Sequence, residues 1–326
     1  MEGVILLADP NSNAWEFAEK IRDYLNQNLN WPIPLEPVDV NTFANGELDV
    51  HVKTNLRRRE IYYVSDPTKD AQQLWAELLL FNNLAPLASV ERIGHILPEL
   101  PYSKQDKKKR PHEPISVKAF IDSLLIYPHV KRIITMDLHS AQTQAFSCPC
   151  PLEALISIPT VIPYLKEKNS LGNLEELVVL SADSGDTKTA KTYARSFRSR
   201  YPVVTVDKER KLDGNRDIER ETISGDVKGK RVFIPDDIAG SGDTLITAAK
   251  TALECGAVEL YCYVTHAWFT EGISELKKYF KKIFVSNTNN RKYDSNIEVI
   301  DVSPIFAKAI YRDYHGESVS DLFKIE

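Results

Sequence analysis

The sequence predicts an α/β fold made of two units, each a mainly parallel sheet flanked by helices. Two observations carry this reading. Short runs rich in Val and Ile alternate with longer segments of helical period, and strands covered on both faces read as continuous apolar runs. The scheme also occurs twice along 326 residues, a length past which one hydrophobic core usually stops growing.

In the first half the pattern predicts strands over 4–7, 61–64, 92–97 and 132–136, with helices over 15–26, 71–84 and 115–125 between them. The second half gives strands over 177–180, 203–206, 232–234, 260–264 and 283–285, and helices over 188–197 and 244–255. Cys148-Pro149-Cys150-Pro151, followed by Pro159 and Pro163, breaks the pattern, so the units are drawn as 1–150 and 151–304. Each half holds a strand that ends in an acid, Asp137 in one and Asp236 in the other. Two charged segments, 105–112 (QDKKKRPH) and 208–220 (KERKLDGNRDIER), read as mobile, solvated loops.

With 43% apolar residues, 27% charged residues and a net charge of -5, the composition is that of a soluble globular protein and argues against a nucleic-acid partner. Any phosphate site must be local. No apolar stretch approaches the roughly 20 residues that span a bilayer, and the short apolar run near the start lacks a basic leader, so a cytoplasmic protein without a membrane partner is expected. Cys148, Cys150, Cys255 and Cys262 lack paired zinc-site spacing and are expected to be reduced thiols.

The segment with most chemistry is 231–255. An apolar strand runs into Asp236-Asp237-Ile238-Ala239-Gly240-Ser241-Gly242-Asp243-Thr244, and a helical run follows. In a parallel sheet this puts a glycine-containing loop and a helix N-terminus at the carboxyl end of a strand, where ligands bind in open α/β folds. Backbone N–H groups and the helix dipole there can hold a phosphate, and the two acids can hold ribose hydroxyls or a hydrated magnesium ion. On this segment alone, a helix cap after an acidic turn is the competing reading.

This segment resembles the phosphoribosyl-pyrophosphate loop of type I phosphoribosyltransferases and phosphoribosyl pyrophosphate synthetases. Five further segments are similar to the synthetases in the same order. Phe43-Ala44-Asn45-Gly46-Glu47 resembles their F-x-D-G-E, and 101–108 (PYSKQDKK) their P-Y-A-R-Q-D-R/K-K. The segment 137–146 (DLHSAQTQAF) is similar to D-L-H-x-x-Q-x-Q-G-F, 181–186 (SADSGD) to S-P-D-x-G-G, and Lys208-Glu209-Arg210 to K-x-R.

The resemblance implies two phosphoribosyltransferase-like units, with a C-terminal helix at about 305–326 packing back on the first. It implies a ribose-phosphate diphosphokinase, which moves the diphosphate of Mg-ATP to the C1 hydroxyl of ribose 5-phosphate and releases AMP. Phe43, Asn45, Gly46 and Glu47 would come from a neighbouring subunit to complete an ATP site with Lys104, Gln105 and Asp106, so a homo-oligomer, dimer or hexamer, is expected. An aromatic face and a long cation can sandwich a purine, although Phe43 taken alone reads as a core residue. His139 and Asp183 would hold Mg2+ or the triphosphate; a lone His after a strand otherwise reads as a structural hydrogen-bonder.

Lys208 and Arg210, cations two residues apart on extended chain, are the expected catalytic residues, because diphosphoryl transfer rests on positioning and cationic stabilisation of the phosphoryl oxygens. Asp236 and Asp237 would grip the ribose hydroxyls, and Gly240, Ser241, Gly242, Asp243 and Thr244 would cradle the 5-phosphate. Four positions depart from the family pattern: Asn45 replaces Asp, Lys104 replaces Arg, Gly240 replaces an acid, and Asp243 stands where a glycine belongs. A carboxylate beside a phosphate costs Coulomb energy unless it points away or meets a cation. Two alternatives stay open on sequence: a non-catalytic regulatory homologue, and a salvage phosphoribosyltransferase that would consume the product.

Overall fold

The computed structural model describes residues 3–168, 171–183, 187–213, 216–293 and 297–323, the side chains of 208–221 excepted. The chain divides into two compact units. The first runs to Ser157 and also takes in Asn287–Arg291 and the tail from Asp301; the second comprises Ile158–Ser286 and Lys292–Ile300.

The first unit contains β1 (Val4–Ala8), α1 (Asn13–Asn28), β2 (Leu35–Pro37), β3 (Asp39–Thr42), β4 (Leu48–His51), β5 (Glu60–Val64), α2 (Ala71–Ala88), β6 (Arg92–Ile96), α3 (Ser116–Leu125), β7 (Val130–Met136) and β8 (Leu152–Leu155). Six of these strands form one sheet in the order β2-β1-β5-β6-β7-β8, and every pairing in it is parallel. Because successive side chains of a strand face opposite ways, β1 and β5 feed two cores. Leu6, Tyr62 and Val64 pack with Phe17, Ile21 and Leu25 of α1, while Leu7, Ile61 and Tyr63 pack with Leu78 and Phe81 of α2 and Phe120 of α3. The strands β3 and β4 stand apart as an antiparallel hairpin.

The second unit contains α4 (Ile158–Lys168), β9 (Leu177–Ser181), α5 (Thr187–Phe197), β10 (Val204–Asp213), β11 (Arg216–Ser224), β12 (Arg231–Ala239), α6 (Asp243–Glu254), β13 (Glu259–Ala267), β14 (Lys282–Ser286) and β15 (Ile297–Ile300). Its sheet has the order β11-β10-β9-β12-β13-β14-β15, parallel except between β10 and β11. Val232 and Ile234 face one core with Leu245, Ala248 and Ala252 of α6, and Phe233 faces the other with Ile162 of α4 and Tyr193 of α5.

The last helix, α7 (Ser303–His315), belongs to the first unit. Its Ile305, Phe306 and Ile310 complete the α1 side of that sheet, with the Phe306 ring edge-on to Phe17 at 5.3 Å. The α-helix expected to run on beyond 315 ends there. Gly316 adopts a left-handed φ of 69°, and the Glu317 N–H donates back to the Arg312 carbonyl at 2.8 Å, which closes the helix. A short 3-10 turn, Val319–Phe323, follows.

Three other expectations are corrected. The segment 208–220 is not a loop: in its described parts it forms the body of β10 and β11, paired from Thr205↔Ser224 to Asp213↔Arg216. Of the prolines read as breaking the pattern, Pro159 and Pro163 lie inside a helix, α4. Pro159 falls in the first turn, where the missing N–H is not needed, and buried Val161, Ile162 and Leu165 supply the packing that holds the helix despite Pro163. Finally, β12 does not stop at 234. It runs on through Asp236 and Asp237 to Ala239, with Asp236 beside Val264 and Ala239 beside Ala267 of β13.

All four cysteines are free thiols. Among the described residues no helix is long and apolar enough to cross a membrane.

Candidate active site

In the first unit, Phe43, Asn45, Gly46 and Glu47 form the tip of the β3–β4 hairpin. The Phe43 N–H donates to the Glu47 carbonyl and the Gly46 N–H to the Phe43 carbonyl, both at 2.8 Å. The Asn45 side-chain oxygen accepts from the Glu47 N–H at 3.2 Å. Gly46 takes a φ of 89°, a conformation that side chains disfavour. Phe43 is 56% exposed, so the reading of it as a core residue is overturned. A closed turn thus carries an exposed aromatic ring at the tip of the hairpin.

Lys104, Gln105 and Asp106 follow buried Ser103 in the loop that links β6 to α3. The loop turns at Tyr102, whose φ is 62° and whose ring packs on Trp75 at 5.3 Å and on Phe120 at 6.0 Å. Gln105 is held at both ends: its N–H donates to the Tyr102 carbonyl at 2.8 Å, and its side-chain oxygen accepts from the Ser116 hydroxyl at 2.6 Å.

Lys104 and Gln105 line a cavity of about 360 Å³ together with Lys107, Lys109, Arg110, Glu113 and Pro114. Four cations thus surround one acid. That acid is already committed, since Glu113 accepts the Lys109 and Arg110 N–H groups at 2.9 Å each and the Arg110 Nε at 2.6 Å. These donors, with the Arg110 guanidinium first, hold its carboxyl below the usual range. The remaining positive potential is suited to an anion. Glu113 is the residue that sequence reasoning missed here, and its signal was an acid three positions after the last cation of the run. None of 43–47 lines this cavity.

His139 is exposed just past the carboxyl end of β7. The chain turns at Asp137, a non-glycine residue with a φ of 39°, which such a residue holds only when its surroundings fix it. Here they do: the Asp137 N–H donates to the Leu155 carbonyl at 2.8 Å, and its carboxylate accepts from the Ser157 N–H at 3.1 Å.

In the second unit, Asp183 lies two residues past β9, and its carbonyl accepts from the Ser181 hydroxyl at 2.7 Å. Ser184, Gly185 and Asp186 of the same motif lie outside the described residues. Lys208 and Arg210 fall on β10, in register with Glu221 and Glu219 of β11, but their side chains are outside the description. Asp236 and Asp237 sit in the last part of β12, both half-buried. The Asp237 carboxylate accepts from the Ile238 N–H at 2.7 Å. Asp236, after burial, helps push the Cys262 thiol up, so that cysteine is an inert core residue.

The loop itself is short: Gly240, Ser241 and Gly242 carry the chain from β12 into α6. The Thr270 N–H donates to the Gly240 carbonyl at 2.9 Å. Gly242 takes a φ of 99°, and a Cβ there would meet Leu276 at 3.1 Å, so the position needs glycine on two counts. Asp243 opens the helix. The Ser241 hydroxyl donates to the Asp243 carboxylate at 2.7 Å and accepts from the Asp243 N–H at 3.3 Å.

Two mainly parallel sheets, each covered on both faces by helices, with His139 and the Gly240–Gly242 loop just past strand carboxyl ends, define an α/β protein of the open-sheet class. Residues 6–126 match the model of the N-terminal domain of ribose phosphate pyrophosphokinase, and residues 174–324 match that of the phosphoribosyl synthetase-associated domain. The crystal structure of phosphoribosylpyrophosphate synthetase from Mycobacterium smegmatis is 26% identical, with 97% of this chain and 100% of that chain covered and a TM-score of 0.81. A purine phosphoribosyltransferase from Pyrococcus horikoshii Ot3 is 19% identical over 44% of this chain and 80% of that one, with a TM-score of 0.27. The chain belongs to the ribose phosphate pyrophosphokinase family.

Proposed function

We propose that the chain is a ribose-phosphate diphosphokinase, which transfers the diphosphate of Mg-ATP to the C1 hydroxyl of ribose 5-phosphate and releases AMP. The observation that carries this reading is coverage: the family models run over residues 6–126 and 174–324, which include the Phe43–Glu47 and Lys104–Asp106 segments as well as the Asp236–Thr244 loop, and the likeness to a synthetase extends over 97% of the chain. A protein that only consumed phosphoribosyl pyrophosphate would have use for the last of these but not the first two.

In this reading Lys104, Gln105 and Asp106 hold ATP, helped by the basic cavity that Lys104 and Gln105 line. The outward Phe43, with Asn45, Gly46 and Glu47, completes the ATP site of a neighbouring copy, so the working form is at least a dimer. Asp236 and Asp237 orient the ribose, and the backbone of Gly240 to Thr244, with the Ser241 and Thr244 hydroxyls, receives the 5-phosphate. The C1 hydroxyl oxygen attacks the β-phosphorus and gives up its proton to solvent, the bond from that phosphorus to the oxygen shared with the α-phosphorus breaks, and AMP departs with its electron pair. Lys208 and Arg210 stabilise the charge that gathers on the phosphoryl oxygens.

Magnesium fits as an ion that arrives on the triphosphate. Among the described residues no three His, Cys, Asp or Glu side chains converge as a cage for a cation. Mg2+ usually keeps several waters and takes one or two protein ligands beside substrate phosphates; His139 and Asp183 would provide them. When bound, the ion neutralises the triphosphate and helps fix its orientation.

The test is AMP release by the purified protein with Mg-ATP and ribose 5-phosphate. AMP is expected in step with phosphoribosyl pyrophosphate and only when the sugar phosphate is present. A folded protein that releases no AMP under these conditions would overturn the reading.

A further inference from the structure

At the sugar-phosphate loop, two groups assigned to the 5-phosphate are occupied by each other. The Ser241 hydroxyl gives its only proton to the Asp243 carboxylate at 2.7 Å, and its oxygen accepts the Asp243 N–H at 3.3 Å. The ring closes over two residues at the first turn of α6, with Gly242 at φ 99° providing the bend. A helix N-terminus attracts negative charge because its first N–H groups have no partners within the helix and the backbone dipoles add there. In this chain the negative charge is supplied from within, by a carboxylate two residues from the serine it engages.

We propose that Asp243 acts as an internal stand-in for the substrate's phosphate, so that it sets a low affinity for ribose 5-phosphate and makes the sugar phosphate compete with the protein's own carboxylate. This rests on the reading of the loop as the 5-phosphate site. A phosphate arriving there meets three obstacles. It must free the Ser241 hydroxyl from Asp243, it must free the Asp243 N–H from Ser241, and it must approach a fixed negative charge with nearly two of its own. At contact distances, repulsion between such charges is large enough to outweigh one hydrogen bond even in a wet site. The carboxylate therefore acts on the phosphate end of the substrate and leaves the ribose ring and the nucleotide alone.

The experiment compares wild type with Asp243→Asn and Asp243→Gly. The asparagine keeps the size and an oxygen that can accept from Ser241 but removes the charge; the glycine removes both. KM for ribose 5-phosphate, from AMP release, is expected to fall about tenfold in Asp243→Asn and further in Asp243→Gly, while KM for ATP stays where it was. A purely structural role for Asp243 would disturb both constants together. Binding of inorganic phosphate to the same three proteins, followed by calorimetry with no ATP present, is expected to strengthen in the same order.

If AMP release is intact and KM for ribose 5-phosphate is unchanged or higher in both variants, the proposal fails while the assigned activity stands. If no protein releases AMP, the assigned activity fails, and the phosphate titration still decides: equal or undetectable binding across the three overturns the role of Asp243.

Discussion

Tyr62 on β5 and Asp313 on α7 stand 251 positions apart in the chain and meet at 2.7 Å, the phenol donating to the carboxylate. Around that carboxylate, Arg132 lies at 2.5 Å and Arg92 at 3.3 Å, and Arg92 also pairs with Glu60. The Asp313 side chain is fully buried, whereas Arg92 and Arg132 keep about a quarter of their surface in water at 28% and 22%.

Asp313→Asn is expected to destabilise the first unit by about 3 kcal/mol, the lower end of the cost of removing one partner from a buried ion pair, because the two arginines can recover some hydration. Tyr62→Phe removes both the donor to Asp313 and the oxygen that accepts from Arg92 at 3.1 Å, and is expected to cost about 2 kcal/mol. Urea midpoints of the two variants measure this. Equal losses would mean that the charge is not what ties α7 to the sheet.

His95 on β6 is fully buried, and its Nε2 lies 2.8 Å from the Asn82 side-chain oxygen. Burial lowers its pKa from 6.5 to about 3, so the folded protein keeps it neutral while the unfolded chain takes up a proton as the pH falls. Its contribution is thus complete above pH 6.5 and is lost on acidification toward pH 3, at roughly 1.4 kcal/mol per pH unit. Between pH 7 and pH 5 the wild type is expected to lose about 2 kcal/mol more than His95→Gln. Urea titrations at the two pH values check the difference, and parallel losses would place the proton elsewhere.

Lys208→Ala is expected to lower the turnover for AMP release by on the order of 100-fold or more, the usual cost of removing one donor to a transition state. Steady-state assays at saturating Mg-ATP and ribose 5-phosphate are the measurement. A rate close to wild type would remove Lys208 from the chemistry.

What the sequence made legible follows burial. Strands such as Leu177–Ser181, buried at every position, leave a continuous apolar signature, and the predicted ranges fall on them. The hairpin strands Asp39–Thr42 and Leu48–His51 contain no buried residue, so nothing in their pattern distinguishes them from loop. Arg216–Ser224 reads RDIERETIS, a charged run that becomes strand only by pairing with β10 along its length. Pro163 hid α4 because a rule about local backbone was overridden by the packing of Leu165 and its neighbours.

The candidate site divides in the same way. Gly242 could be recognised as a bend and Asp236 as a strand-end acid, since those are properties of single residues. The outward Phe43, the grip of Glu113 on Arg110 and the closed ring between Ser241 and Asp243 each depend on which partner a side chain finds, and local sequence does not encode that choice.

The position of α7 bears on how the protein is made. A chain emerges from the ribosome from its N-terminus, and domains usually complete themselves in that order. Here the second unit has all its strands once Ile300 is out, while the sheet begun at Val4 still lacks Phe306 and Ile310 for its α1 side. The half that is translated first is therefore expected to mature last, leaving Phe17 and Ile21 uncovered through most of synthesis.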